Sequence, residues 1–289
     1  MIYINKIKDN SISPKIKGNG GNGIDWSQIG LPTVPDILTK GMDDAQKVYD
    51  NWNPENTSAK ELFIGNDISI APKLDTHNVT NFDFTFQDSS LMKQPEWDLT
   101  SGVSFYSFLG RCPWLSGDVD LYIPNAKNIN HILNCMAYIN QERNTIGIKT
   151  LKIYTRLNGN LLEAKTMDGA FAGQYILEEI TGKNGGRLSI LNPESMFGTF
   201  AYCSLLSESP MIHLDNCTEL RRCFQGCEKM NKIWLIGNAS KLTPEKIVDC
   251  FDGVAKTGTL YVGLDKYNRG LFEPEINKDG RNWEILQVG

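Results

Sequence analysis

The sequence predicts an α/β chain in which one short structural unit repeats along most of the 289 residues. Three observations lead to this fold class. A large apolar anchor recurs every 22 to 35 residues, a second apolar residue stands four positions before most anchors, and a strand-like segment follows most of them. A repeat period in the twenties is typical of solenoids, in which no single unit can bury its own apolar face.

The anchors define about eight units between residues 57 and 264. Their successive spacings are 23, 22, 28, 35, 29, 24 and 27 residues, and the anchors are Phe63, Phe86, Phe108, Met136, Phe171, Phe200, Phe224 and Phe251. Apolar residues at i and i+4 share one face of a helical turn, so short helices are expected at the anchors. Alternating apolar residues predict strands at 121–123, 150–155, 188–191, 211–214, 233–236 and 259–262.

Different segments flank the repeats at each end. Residues 1–30 are predicted to form an extended N-terminal attachment arm with a Gly-rich hinge. Residues 31–56 are predicted to form a helical N-cap, with Val48 and Tyr49 as core contacts. Residues 265–289 are predicted to form a C-terminal cap, because an open end of a repeat array exposes apolar surface. The cap residues expected to cover the last unit are Phe272, Trp283, Ile285 and Leu286.

Composition excludes several functional classes. The net charge of −5 argues against a nucleic-acid partner, which usually requires clustered Lys and Arg. The sequence contains no run of 18 apolar residues, so it predicts no membrane span. The N-terminus lacks the apolar region of a secretory signal peptide, so we expect no export and reduced cysteines.

The seven cysteines have a packing explanation. Cys135, Cys223 and Cys250 stand directly before an anchor, and Cys203 and Cys227 stand three residues after one. A free cysteine behaves as a small hydrophobic residue in a core. Pairs four residues apart, such as His131 and Cys135, lack a second half at zinc-site spacing. The sequence therefore predicts no metal site.

Two further motifs are tested for chemistry. Gly18–Gly23, GNGGNG, has the spacing of a dinucleotide-binding loop, but glycine and proline follow it where that loop requires a helix. Two close carboxylate pairs could in principle serve glycoside hydrolysis, Asp118 with Asp120 and Glu178 with Glu179, although charged residues are mostly solvated surface. We therefore predict no enzyme, no catalytic residue and no cofactor.

An outward-facing stripe is the main functional prediction. Within each predicted strand the aliphatic residues point inward and the residue between them points out of the sheet. Stacked units would bring these outward residues into a row that binds sugars, peptides or a partner subunit. The alternative is that an insertion, such as 139–147 or 156–170, covers the stripe. The stripe residues are Tyr122, Tyr154, His213, Trp234 and Tyr261.

Two segments resemble known families. The unit Leu220-Arg-Arg-Cys-Phe-Gln-Gly-Cys227, followed by a short strand, resembles leucine-rich repeats of the BspA type. That resemblance implies a right-handed solenoid with a parallel sheet on one side and short helices on the other. The front segment, Gly23–Gly30 with Pro35–Leu38 and Ala45–Trp52, is similar to the segment that opens such repeats in fibre-like virion proteins of phages of gut Bacteroidetes, including crAss-like phages.

The resemblances lead to a functional expectation. The chain would be a non-enzymatic virion protein, a head or tail fibre or a fibre-associated subunit, assembled in the host cytoplasm. Residues 1–30 would bind other virion proteins, and the repeats would contact a host glycan or protein or assemble with further copies, for example as a trimer. A bacterial cell-surface adhesin of the BspA type is the alternative, and a carbohydrate-active depolymerase ranks third.

Overall fold

A computed structural model describes residues 43, 45–136, 147–157 and 159–288. The predicted attachment arm, residues 1–30, lies outside this part of the chain. Within the described residues the protein is α/β, with two sheets in which all neighbouring strands run parallel. The predicted fold class is confirmed at this level.

Nine strands are formed by the described residues. The smaller sheet contains β1 (Gly117–Tyr122), β2 (Ile148–Tyr154) and β4 (Glu179–Thr181), in the order β1-β2-β4. The larger sheet contains β3 (Leu161–Leu162), β5 (Ser189–Ile190), β6 (Glu208–His213), β7 (Lys232–Ile236), β8 (Thr257–Gly263) and β9 (Asn282–Val288), in the order β3-β5-β6-β7-β8-β9. The six predicted strand segments correspond to β1, β2, β5, β6, β7 and β8, whereas β3, β4 and β9 were missed.

Alternating side chains give each strand one buried face. In β7, Ile233 and Leu235 are fully buried, and Trp234 between them is partly exposed. In β8, Leu260 and Val262 are buried in the same way on either side of Tyr261. Burying one such aliphatic side chain contributes roughly 1.5–3 kcal/mol. The sheets therefore pack their aliphatic face on the core and leave a row of other side chains outside.

Besides the sheets, a second ladder joins successive units at a position five residues before the anchor. It consists of parallel bridges between successive units, with steps of 23, 23, 24, 38 and 29 residues, and its members are Ser58, Asn81, Ser104, Asn128, Thr166 and Ser195. The side chains of Ser58, Asn81 and Asn128 also cap the turn that follows each of them. The Lys60 N–H donates to Ser58 Oγ at 3.2 Å, and the Asp83 N–H donates to Asn81 Oδ1 at 2.9 Å. This polar column holds the six units from Ser58 to Ser195 in register with one another.

The segments that follow the ladder are successive turns, so the prediction of short helices at the anchors is wrong. The N–H groups of Phe84 and Phe86 donate to carbonyls of the next unit at 2.7 and 2.9 Å, and the N–H of Thr85 donates within its own turn at 3.3 Å. This alternation satisfies the backbone without a helix. The first left-handed residue of these turns has a φ between 54° and 60° in each unit, at Glu61, Phe84, Ser107, His131, Gly169, Gly198, Arg222 and Asp249. A second left-handed residue follows four positions later in most units, as at Gly65 and Asp88.

Large side chains stack along the core from unit to unit. Phe200 and Phe224 lie with ring centroids 5.5 Å apart and planes 3° from parallel, and both are fully buried. Six of the predicted anchors occupy the same position, two residues after the first left-handed residue of their unit. They are Phe63, Phe86, Phe171, Phe200, Phe224 and Phe251. The stack explains why a bulky apolar residue recurs in the sequence.

Two predicted anchors, Phe108 and Met136, are wrong by register. The anchor lies five residues after the ladder residue, and this places Leu109 and Leu133 in the column. Phe108 directly precedes its anchor and is still fully buried, with its ring 5.7 Å from that of Phe86 at an angle of 67°. Because Phe108 and Leu109 are adjacent and both buried, a prediction based on side-chain size chose Phe108 instead of Leu109.

Of the predicted N-cap, 31–56, residues 31–42 and 44 lie outside the described part of the chain, and residues 45–51 form a short helical segment at the N-terminal end of the units. Val48 packs against the core as predicted. Tyr49 does not, because half of it is exposed to solvent. The missing contact comes from Trp52, which packs on the core and donates its Nε1–H to the Asp75 carbonyl at 2.7 Å.

The C-terminal end adds a helix and one more strand. Helix α1 (Lys266–Ile276) begins at Asp265, whose carboxylate accepts the Tyr267 N–H, and two 3-10 turns lie at Pro244–Lys246 and Lys278–Gly280. Strand β9 pairs with β8 over its full length. Of the predicted cap residues, Phe272, Trp283 and Ile285 are buried, and Leu286 is 38% exposed because it points outward on β9.

Candidate functional site

The outer face of the larger sheet does not carry the predicted stripe as one row. Strand register aligns Trp234 with Tyr261 but places His213 opposite Ile236, in the neighbouring row. Met211 takes the expected place of His213 beside Trp234. The full row is Leu161, Ser189, Met211, Trp234, Tyr261 and Leu286. The prediction of a single row is therefore wrong for His213.

The other two stripe residues lie on the smaller sheet. Tyr122 pairs in register with Tyr154, and their rings stack at 5.3 Å. Tyr154 is only 3% exposed. Lys183, in the segment between β4 and β5, lies 5.3 Å from the centroid of this ring and donates to its hydroxyl at 3.2 Å. Lys183 thus covers the Tyr154 ring, and it belongs to neither of the insertions predicted to cover the stripe. Of those insertions, residues 139–146 lie outside the described part of the chain.

The faces of the Trp234 ring have protein partners. Tyr261 stacks on it at a centroid distance of 3.6 Å and an angle of 6°. The guanidinium of Arg187 lies 4.0 Å from the ring centroid and is ion-paired with Glu208, which also accepts the Trp234 Nε1–H at 3.0 Å. Such contacts of a cation with an aromatic face are attractive by about 0.5–2 kcal/mol. Sequence reasoning missed Arg187 and Glu208, which no motif connects to Trp234.

A cleft lies beside these rings, where the larger sheet meets the loops that follow its strands. Its volume is about 490 Å³, and its lining residues are Met211, Asp215, Trp234, Ile236, Gly237, Asn238, Gly263, Leu264, Asp265 and Val288. We call it the carboxyl-edge cleft. A cleft of this volume with apolar walls and few polar groups is typical of a site for a small ligand or a side chain.

The two predicted carboxylate pairs lie on the smaller sheet beside basic or hydroxyl side chains. Asp118 accepts a hydrogen bond from the Thr150 hydroxyl, and Asp120 is aligned with Lys152 across the strand pair. Glu178 forms an ion pair with Lys149 at 3.6 Å. These contacts are those of a solvated sheet surface, where exposed ion pairs contribute little. We assign no catalytic role to either pair.

The cysteines serve packing and hydrogen bonding. Cys112, Cys203 and Cys227 stand three residues after the structural anchor, and each thiol donates to the anchor carbonyl of the preceding unit at 3.0 to 3.2 Å. The predicted place of Cys135, directly before an anchor, is wrong because Leu133 is that anchor. Burial raises the pKa of Cys112 and Cys227 to about 12 and that of Cys135 to about 11. Buried thiols with raised pKa values are poor nucleophiles and poor metal ligands at neutral pH.

One acidic group has the spacing of a cation site. Ligand atoms of Asp249, Asp252 and Glu275 lie within 4.8 Å of one another. Basic side chains surround them: Arg222 lies 3.7 Å from Asp249, Arg281 lies 3.8 Å from Asp252, and Lys278 lies 3.8 Å from Glu275. Because these cations already balance the carboxylates, we assign no metal to the group.

Comparison with known proteins identifies no relative. No protein-family model, no curated protein and no solved structure matches the chain. Among the residues that the structure describes, no helix has the length and apolar character needed to cross a bilayer.

Proposed function

We propose that the stacked units form a right-handed solenoid of the leucine-rich-repeat type, and that the chain is a non-enzymatic structural protein of a phage virion. The observation that carries the proposal is the pair of parallel ladders. Successive units are bonded to one another along the polar column from Ser58 to Ser195 and along the sheets from β1 to β9. Solenoids use such one-dimensional stacking to build a long surface from short units. A fibre or fibre-associated subunit would use a surface of this kind to make contact.

In this proposal the sheet face is the displayed surface and residues 1–30 attach the chain to other virion proteins. A host glycan or protein, or further copies of the chain, would meet the sheet face. Because Tyr261 and Arg187 lie on the Trp234 ring, a partner would contact ring edges and the carboxyl-edge cleft. Stacking of a sugar ring on the face of Trp234 would first require that Arg187 move.

The decisive experiment is immunolabelling. Antibodies raised against residues 57–264 are applied to purified virions and to the surface of host cells. Labelling at one regular position on the particle supports the proposal and distinguishes head from tail. Labelling of cells alone contradicts it and favours the adhesin. Deleting residues 1–23 should abolish incorporation into particles while leaving the circular dichroism spectrum of the repeats unchanged, and normal incorporation would refute the role of the arm.

A further inference from the structure

The carboxyl-edge cleft has apolar walls. Met211, Ile236, Leu264 and Val288 line it, and Leu264 is 66% exposed. Trp234 presents hydrocarbon to the cleft, because its Nε1–H is already donated to Glu208. A ligand that fits here must therefore carry an apolar section.

Two carboxylates are the charged groups of the cleft lining, Asp215 and Asp265. Among the described residues, no ion pair joins a Lys or an Arg to either carboxylate. His213 is near Asp215, but burial lowers the pKa of its imidazole, so that it is neutral at pH 7. The cleft is thus an apolar surface with unbalanced negative charge.

Both carboxylates are held in place by the backbone. Asp215 Oδ1 accepts the Asn238 N–H at 3.1 Å, and Asp265 Oδ1 accepts the Tyr267 N–H at 2.9 Å. Each contact leaves the second oxygen for another donor. Gly237 makes room for Asp215, since a Cβ at residue 237 would lie 2.5 Å from Asp215 Oδ2. Groups that are fixed before binding lose little conformational entropy when a ligand arrives.

We propose that the carboxyl-edge cleft binds an arginine or lysine side chain presented by a protein partner. The aliphatic stem would lie against Met211 and Leu264, and the cationic group would meet the free oxygens of Asp215 and Asp265. Long basic side chains combine an apolar stem with a charged end, which matches the composition of the cleft. The proposal rests on the proposed function, because it names the chemistry of the partner that the sheet face would meet.

The test uses methionine methyl NMR on the full chain. The probe is acetyl-Gly-Arg-Gly-amide, and the matched neutral control peptide carries citrulline in place of arginine. The Met211 methyl signal is assigned with Met211→Leu. Asp215→Asn with Asp265→Asn keeps both backbone hydrogen bonds but removes the charges. The control variant, Asp118→Asn with Asp120→Asn, removes two exposed carboxylates elsewhere.

We expect the arginine peptide to shift the Met211 signal saturably. The double cleft variant loses two exposed ion pairs with the peptide, so it should bind the peptide roughly 2- to 30-fold more weakly. The control variant should bind as the wild type does. Equal binding of the arginine and citrulline peptides, or an unchanged Met211 signal, overturns the proposal. Self-association of the chain that the cleft variant abolishes would overturn the choice of a separate protein partner. These readouts use the isolated chain, so they fail or succeed independently of the virion labelling.

Discussion

Replacing Phe224 with alanine should remove a large part of the stability of the chain. Phe224 is fully buried between Phe200 and Phe251, with centroid distances of 5.5 and 6.1 Å and nearly parallel rings. Truncating such a core ring leaves a cavity and costs about 3–5 kcal/mol of the free energy of unfolding. Since domains are stable by only about 5–15 kcal/mol, this loss is readily measured.

The assay is urea unfolding followed by circular dichroism and tryptophan fluorescence. Phe224→Leu keeps most of the volume and loses the ring contacts, so it should cost about 1–2 kcal/mol. Phe197 is 37% exposed, and Phe197→Ala should cost less than about 1 kcal/mol, which makes it the matched control. If Phe224→Ala destabilises no more than Phe197→Ala, the stacked anchors do not form the core and our reasoning is wrong.

Two other perturbations test the turns and the buried thiols. Gly226→Ala should destabilise the chain by about 1–3 kcal/mol, because residue 226 has a φ of 71° and a Cβ there would lie 2.6 Å from the Tyr202 ring. Gly270→Ala in helix α1 meets open space and should stabilise the chain by up to about 1 kcal/mol. The urea midpoints of the two variants should therefore shift in opposite directions. Burial raises the pKa of the Cys227 thiol to about 12, above the value of about 8.5 in an unfolded chain. Its contribution is therefore complete below about pH 8.5 and is lost as the pH rises towards 12, and unfolding between pH 7 and 10.5 should show a steeper decline for the wild type than for Cys227→Ala, by up to about 1.4 kcal/mol per pH unit. Parallel declines would contradict the burial of this thiol.

The strands were predictable because alternation of apolar residues reports burial directly. The turns were not, because apolar residues four apart are compatible both with a helix and with two successive turns. Residues such as Phe84 and Arg222 adopt a left-handed φ without any glycine to indicate it. Cross-unit hydrogen bonds select the turns, and these depend on residues more than 20 positions away. The short strands β3 and β4 are too brief to show an alternation.

The candidate site was predictable in part for the same reason. Alternation indicated that Trp234 and Tyr261 point outward, but it could not choose between Met211 and His213, which both point outward on β6. Strand register makes that choice. The contact of Arg187 with Trp234 joins segments 47 residues apart, and no local pattern reports it.

The long steps of the polar column suggest a use for this chain as a carrier of foreign peptides. Residues 182–188 leave the smaller sheet after β4 and enter the larger sheet at β5, and both strands keep their parallel neighbours. A Cβ at Gly185 would meet no atom within 4 Å, so the tip of this excursion is open to solvent. Exposed loop tips are where insertions are best tolerated. An epitope grafted at Gly185 would be presented on a rigid support, and on a virion it would be repeated with every copy of the subunit.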